Sequence, residues 1–154
     1  MKKYIKYILI CLLLFAGISI YNGYKQNNNN NNNPVIVNQI DEDGQYTSKE
    51  EVSEYLITYN KLPSNFVTKS EAKELGWVAS KGNLQEVCEN CSIGGDRYYN
   101  RENKLPDKDN RLYYECDIDY KGGTRNSKRL VYSNDGLIYY TDDHYKSFEL
   151  LYGE

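Results

Sequence analysis

Residues 115–145 read ECDIDYKGGTRNSKRLVYSNDGLIYYTDDHY, and the run into them from Arg111 already alternates. Leu112, Tyr114, Cys116 and Ile118 fall on one side, while Arg111, Tyr113, Glu115 and Asp117 fall on the other. A period of two is that of a strand with one covered and one solvated face. Glu115 and Asp117 are therefore expected to project together from the polar side. Gly122-Gly123 breaks the pattern as a turn. Ser127–Ser133 follows as a second strand, with Leu130 and Tyr132 inward and Arg129 outward. Asn134-Asp135-Gly136 is a hairpin signal, and a third strand over Leu137–Thr141 runs into Asp142-Asp143-His144-Tyr145. Adjacent antiparallel strands would carry Glu115, Arg125, Arg129 and His144 to one face.

Upstream of these strands the signals are helical. Ser48 with Glu51 three residues on is a capping box, and Val52, Tyr55, Leu56 and Tyr59 follow at helical spacing. Asn60 and Leu62-Pro63 end that helix. Thr68 with Glu71 is a second capping box, Ala72 and Leu75 make a short apolar stripe, and Gly76 stops it. A third helix of a turn or two fits Asn83–Val87. Helices first and antiparallel strands afterwards predict an α+β domain, with the helices packed on one face of the sheet.

The 154 residues hold one such domain, expected from Tyr46 to the end. Residues 1–6 are basic, and Tyr7–Ile20 is an apolar run of 14 residues. That length is short for a membrane span and typical of a signal-peptide core. Residues 1–20 are accordingly read as a signal peptide or uncleaved signal anchor. The product is then secreted, or held at the membrane facing outward only through that N-terminal segment. Gln26 and seven asparagines, Asn27–Asn33, lie in a linker over residues 21–45 that cannot build a core. As a flexible coil it reaches roughly 25–30 Å.

Cys88-Glu89-Asn90-Cys91 has the spacing of a redox or zinc half-site, but no second cysteine pair answers it and His144 is far along the chain. A local disulfide suits an exported protein. Cys116 reads as a small buried residue on its strand's apolar face. No metal or other cofactor is expected.

From residue 43 onward there are 15 Lys and Arg against 20 Asp and Glu, yet Arg97–Arg129 alone holds nine basic and six acidic residues. A positive groove on an acidic body can collect phosphates with weak, salt-sensitive steering. The single histidine excludes a two-imidazole enzyme, so any acid–base pair must join His144 to a carboxylate. Cleavage of RNA by its own 2′-hydroxyl needs a base, an acid for the departing 5′ oxygen, and cations around phosphorus. Glu115, His144, Arg125, Arg129 and Lys69 fit those tasks. Two other readings use the same residues: a catalytically silent RNA-binding module stacking bases on Tyr98, Tyr99 and Tyr145, and an anchored surface module that binds protein.

TKSEAKELGWVASKGNL at 68–84, SIGGD at 92–96, NRENKLP at 100–106, RNS at 125–127 and DHY at 143–145 resemble the barnase family, the secreted guanyl-preferring bacterial ribonucleases. The similarity runs from about Tyr46 to Leu150. It implies three N-terminal helices on a five-stranded antiparallel sheet, the microbial ribonuclease fold, in a monomer acting on single-stranded RNA. It further implies Glu115 as general base, His144 as general acid, and Lys69, Arg125 and Arg129 as the cations at the reacting phosphate. Tyr145 matches the aromatic beside the histidine, and Asp96 and Asp117 the carboxylates that hold the cations. Tyr98, Tyr99, Asn100, Arg101 and Glu102 correspond to the guanine loop, where Glu102 would accept from the N1 and N2 edge. Trp77 aligns with a core tryptophan. Tyr99 stands where the family has serine, Thr124 where it has an aromatic, and Gly136 where a tryptophan is common. A barstar-like intracellular inhibitor is the partner that the resemblance implies. The reaction implied is metal-independent cleavage 3′ of guanosine, through a 2′,3′-cyclic phosphate that is then hydrolysed.

Overall fold

The computed structural model describes residues 40–154, and helices precede strands along it. Helix α1, Lys49–Tyr59, starts where Ser48 leaves extended backbone and accepts from the Glu51 N–H. The Ser48 hydroxyl also donates to Glu51 Oε2 at 2.6 Å. Asn60 closes the helix in the left-handed region, its N–H on the Leu56 carbonyl at 2.9 Å. The buried side carries Val52, Tyr55 and Leu56. Tyr55 and Tyr59 reach back with their hydroxyls to the carbonyls of Glu42 and Ile40, at 2.7 and 2.8 Å. Ile40–Gln45 is thereby fastened to α1, ahead of the expected start at Tyr46. The expected export segment (1–20) and the linker as far as Gln39 lie outside the described residues.

Strand β1, Phe66–Val67, leads into helix α2, Lys69–Glu74, whose capping box is complete: Thr68 accepts from Glu71 N while the Glu71 carboxylate accepts from Thr68 N. A 3-10 turn at Ala79–Lys81 and helix α3, Leu84–Val87, follow. The remaining strands are β2 (Ser92–Tyr98), β3 (Tyr113–Asp117), β4 (Arg129–Ser133), β5 (Ile138–Thr141) and β6 (Glu149–Tyr152). They stand in the sheet in chain order, β1 to β6. The antiparallel five-stranded sheet is present as β2–β6, and the strand count is corrected to six by β1, which pairs parallel with Ser92 and Ile93. Two residues are too few to display a period of two.

Two of the three apolar clusters support the helices. Val52 and Leu56 pack on Cys116, Ile118, Leu130 and Ile138. Ala72, Trp77 and Leu84 pack on Cys91, Ile93 and Tyr120, so Trp77 is a core residue. Cys88 and Cys91 form a disulfide between the end of α3 and the start of β2, and Cys116 is free and buried. Burial pushes the Cys116 thiol pKa well above its ordinary value.

The third cluster corrects the expected solvated face of β3. Tyr113, Val131 and Tyr139 lie under Leu105 and Leu137 on the same side as Glu115 and Asp117. Arg129, expected to point outward, is only 2% exposed, and Asp117 1%. Alternation told the side correctly; side chains from the flanking loops cover it.

One irregularity shapes the edge of that face. Register between β2 and β3 slips between Gly94 and Asp96. A Cβ on Gly94 would sit 2.6 Å from Phe66 Cδ1 and 2.7 Å from Cys116 Cβ, while Gly95 takes φ +92°. Only glycine allows both the close approach and the positive φ. The bulge turns Asp96 toward the first turn of α2.

Candidate active site

Glu115 is central to this face of β3. Its Oε1 accepts from Lys69 Nζ at 2.5 Å, and its Oε2 accepts from the Tyr145 hydroxyl. A carboxylate offers about four lone-pair positions, so two remain after these bonds. Burial, followed by the bond to Glu115, raises the Tyr145 hydroxyl pKa well above the ordinary tyrosine range.

Lys69 is positioned from below. It is the first residue of α2, and its backbone N–H donates to Asp96 Oδ2 at 3.0 Å. Its ammonium lies 3.8 Å from the same oxygen. The bulge that orients Asp96 therefore also sets where Lys69 starts.

Asp117 holds the arginine pair. Arg125 donates from Nε and Nη2 to its two oxygens, each at 2.6 Å. Burial lowers the Arg125 pKa, but the bonds and charge of Asp117 more than offset this and leave it raised. Arg129 Nε lies 2.9 Å from Asp117 Oδ1 as an ion pair, although its direction misses hydrogen-bond alignment. Arg129 Nη1 donates to the Lys128 carbonyl at 2.6 Å and to Asn126 Oδ1 at 3.2 Å. One buried carboxylate with two guanidinium groups leaves net positive charge in a low-dielectric setting, where it acts strongly on an anion.

His144 stands exposed at the end of β5, with its ring centre 4.9 Å from that of Tyr145. Both residues have positive φ, 59° and 69°. The turn is held by a residue that the sequence reading passed over. Asp143 Oδ1 accepts from the N–H groups of Lys146 and Ser147 and from the Thr141 hydroxyl, at 2.9, 3.0 and 2.9 Å. Ser147 Oγ donates to the other oxygen at 2.7 Å. These bonds, led by those from Ser147, depress the Asp143 pKa far below the usual carboxylate range. An aspartate within a short polar run is the local signal, since its side chain can bond backbone N–H groups just downstream.

The loop after β2 completes the cleft, which has a volume of about 610 Å³ and runs from Arg97 through Glu102 to His144 and Lys146. Asn100 has φ 44° and uses its amide inside the loop: Nδ2 donates to the Leu105 carbonyl at 2.8 Å, and Oδ1 accepts from Leu105 N at 3.0 Å. Glu102 is exposed and pairs with Lys104 at 2.8 Å. Lys104 also donates to the Tyr145 carbonyl at 2.9 Å, joining this loop to the histidine turn. Tyr98 stacks on Tyr145 with centres 5.4 Å apart. Tyr99 and Arg101 point to solvent and meet each other at 5.5 Å. Thus Lys69, Asp96, Glu115 and Tyr145 form one bonded set, and Asp117, Arg125 and Arg129 a second beside it on the same face of β3, with His144 and residues 98–102 around the mouth. Lys104, Asn126 and Asp143 are structural members that sequence reasoning missed. Among the described residues no three His, Cys, Asp or Glu side chains converge into a cation-ligand set.

A family model described as ribonuclease matches residues 48–152. A ribonuclease of Heyndrickxia coagulans is 58% identical over 97 residues, covering 63% of this chain and 89% of that protein. A ribonuclease of Bacillus intermedius is also 58% identical over 97 residues, again 63% of this chain but 60% of the relative's own length. The guanyl-specific ribonuclease St of Saccharopolyspora erythraea is 39% identical over 57 residues, 36% of this chain and 56% of that protein.

Proposed function

Because this chain belongs to the ribonuclease family and is an endoribonuclease, we propose that it cleaves single-stranded RNA 3′ of guanosine without a metal ion. The observation that carries the reading is the bonding of Glu115 to Lys69 and Tyr145, with His144 beside Tyr145. Family membership sets aside the two non-catalytic readings.

Glu115 takes the proton of the ribose 2′-hydroxyl through a lone pair left free by Lys69 and Tyr145. The 2′ oxygen attacks phosphorus, and His144, entering as imidazolium, gives its proton to the departing 5′ oxygen. Phosphorus passes through a crowded, more negative state. Lys69, Arg125 and Arg129 stabilise that charge, and being pre-bonded to Glu115, Asp96 and Asp117 they need little rearrangement. The 2′,3′-cyclic phosphate is then hydrolysed with the roles reversed, His144 deprotonating water and Glu115 returning the proton to the 2′ oxygen. Guanine enters the loop 98–102, where Glu102 accepts from its N1 and N2 edge after releasing Lys104. Asn100 acts there by holding the loop closed.

The N-terminal basic and apolar segment (1–20) serves export, and residues 21–39 connect it to the domain, since Ile40–Gln45 is held against α1. The domain works as a monomer. Before export the enzyme endangers its maker's RNA, and an acidic barstar-like inhibitor that plugs the cationic cleft answers that need. No inhibition by such a protein at low salt would remove this partner.

The test of the reaction is digestion of a defined single-stranded RNA in excess EDTA, with early products read by mass spectrometry. Cyclic phosphate 3′ of guanosine is expected. Loss of activity in EDTA, or 5′-phosphate ends, would overturn the mechanism.

A further inference from the structure

Behind the cleft runs a ladder of rings and cations whose side chains supply neither the acid–base pair nor the phosphate cations of the proposed reaction. Arg97 on β2 faces Tyr114 on β3 across the sheet, and its guanidinium lies 5.3 Å from the Tyr114 ring centre. Tyr114 stacks in turn on Tyr132 of β4, with centres 5.8 Å apart and planes 27° apart. On its other side Arg97 lies 5.7 Å from the Tyr99 ring, which Arg101 approaches to 5.5 Å.

The sheet lets this ladder reach the cleft. β1 pairs only Ser92 and Ile93, so at Arg97–Tyr98 no strand among the described residues covers the outer side of β2. Tyr114 points away from Glu115, yet Arg97, Tyr99 and Arg101 line the same cleft as His144. The ladder thus starts on the rear face and emerges at the edge where the chain leaves β2.

Three features are unexplained by folding alone. Tyr99 is 67% exposed, although it is a large ring that two cations approach. Among the described residues neither Arg97 nor Arg101 has a carboxylate within ion-pair distance, whereas Lys69, Arg125 and Arg129 all do. Arg97 Nε is buried without a hydrogen-bond partner. An exposed ring flanked by unneutralised guanidinium groups suits one class of ligand: a nucleotide, whose base stacks and whose phosphate carries the missing charge.

We propose that Arg97, Tyr99 and Arg101 form a subsite for a nucleotide of single-stranded RNA lying beyond the two that flank the cleaved bond. The base stacks on the exposed ring of Tyr99, and its phosphate pairs with Arg97 and Arg101. Because a stacked ring tolerates every base, the subsite adds affinity for longer RNA without adding sequence preference. This rests on the endoribonuclease reading.

The experiment compares kcat/KM for the dinucleotide GpA with that for the pentanucleotide AAGAA. It adds fluorescence anisotropy with the pentamer carrying 2′-deoxyguanosine, which cannot be cleaved. Tyr99→Ser should lower kcat/KM for the pentamer and affinity for its analogue by roughly tenfold, the scale of one lost stack. Tyr99→Phe should retain both. Arg97→Gln should lower the pentamer values several-fold, leave GpA cleavage unchanged, and reduce the salt slope of binding by roughly 0.7, as for one phosphate contact on a single strand. Thermal melts check that each variant is folded. If Arg97→Gln is not, the exposed Tyr99 pair decides alone. Equal loss on dinucleotide and pentamer in the folded Arg97→Gln protein, or equal damage by Ser and Phe at Tyr99, would overturn the subsite. Failure of the wild-type protein to cleave GpA would strike the reaction reading instead, while the anisotropy still reports on the ladder.

Discussion

Replacing the carboxylate of Glu115 by an amide separates its chemistry from its packing. Glu115→Gln keeps the shape and can still bond Tyr145, but it loses the charge facing Lys69 at 2.5 Å. The rate should fall by about 10²–10⁴, the usual contribution of a positioned base. His144→Ala should cost a similar factor for the acid, and its ring is exposed, so the fold should be little affected. Circular dichroism checks that Glu115→Gln is folded. Full activity in that folded variant would exclude Glu115 as the base. A different carboxylate governs acid stability. Asp135 is held far below the usual carboxylate range, first by its paired bonds with Arg111 and then by the Ser133 hydroxyl. With a depressed folded pKa, its stabilisation is complete above the ordinary value of about 3.9 and fades as pH falls through the lower folded one. Asp135→Asn should therefore lower stability near pH 7 by about 0.5–1 kcal/mol, the range of a partly exposed pair. Urea titrations should show the difference shrinking below about pH 4. A difference that persists undiminished at pH 2 would assign the effect to packing.

The elements divide by how local their causes are. The α1 cap at Ser48, the complete box at Thr68 and the left-handed stop at Asn60 are each made within four residues, and all three are legible in the sequence. So is the face that carries Glu115 and Asp117, because alternation is local too. Burial of Arg129 is not legible. It depends on Asp117 across a strand pair and on Asn126 in the loop before β4, neither of which alternation encodes. β1 was missed for want of length, and Asp143 because its bonds serve a turn that only the fold makes important. The bulge in β2 lies between these cases: Gly94-Gly95 is visible as a pair, but its purpose appears only once Asp96 meets Lys69. Gly95→Ala would force φ +92° on a residue with a Cβ, at a cost of about 1–3 kcal/mol. It would also turn Asp96 away from α2. Denaturation should show the loss of stability, and activity should fall in protein that remains folded. An unchanged rate in the folded variant would mean that the bulge sets stability without setting Lys69.

At the scale of the whole molecule, charge works against the substrate, and only local arrangement rescues binding. The domain from residue 43 onward has five more acidic than basic side chains, so RNA meets repulsion except along the cleft. There Lys69 is already bonded to Glu115, and Arg125 and Arg129 share Asp117. Each such cation carries less free charge to a phosphate than an unpaired one. Arg97 and Arg101 add two that have no carboxylate partner among the described residues. Few phosphates are thus neutralised on binding, and few counterions are released. kcat/KM for long single-stranded RNA should fall with rising NaCl as a shallow power law, with a slope of roughly −2 to −4 on the single-strand rule. The measurement is steady-state cleavage from low to high salt, at fixed pH and RNA length. A slope near zero would mean that the phosphates do not sit among these cations. One steeper than about −6 would require more than eight phosphate contacts, more than the basic side chains around this cleft can make.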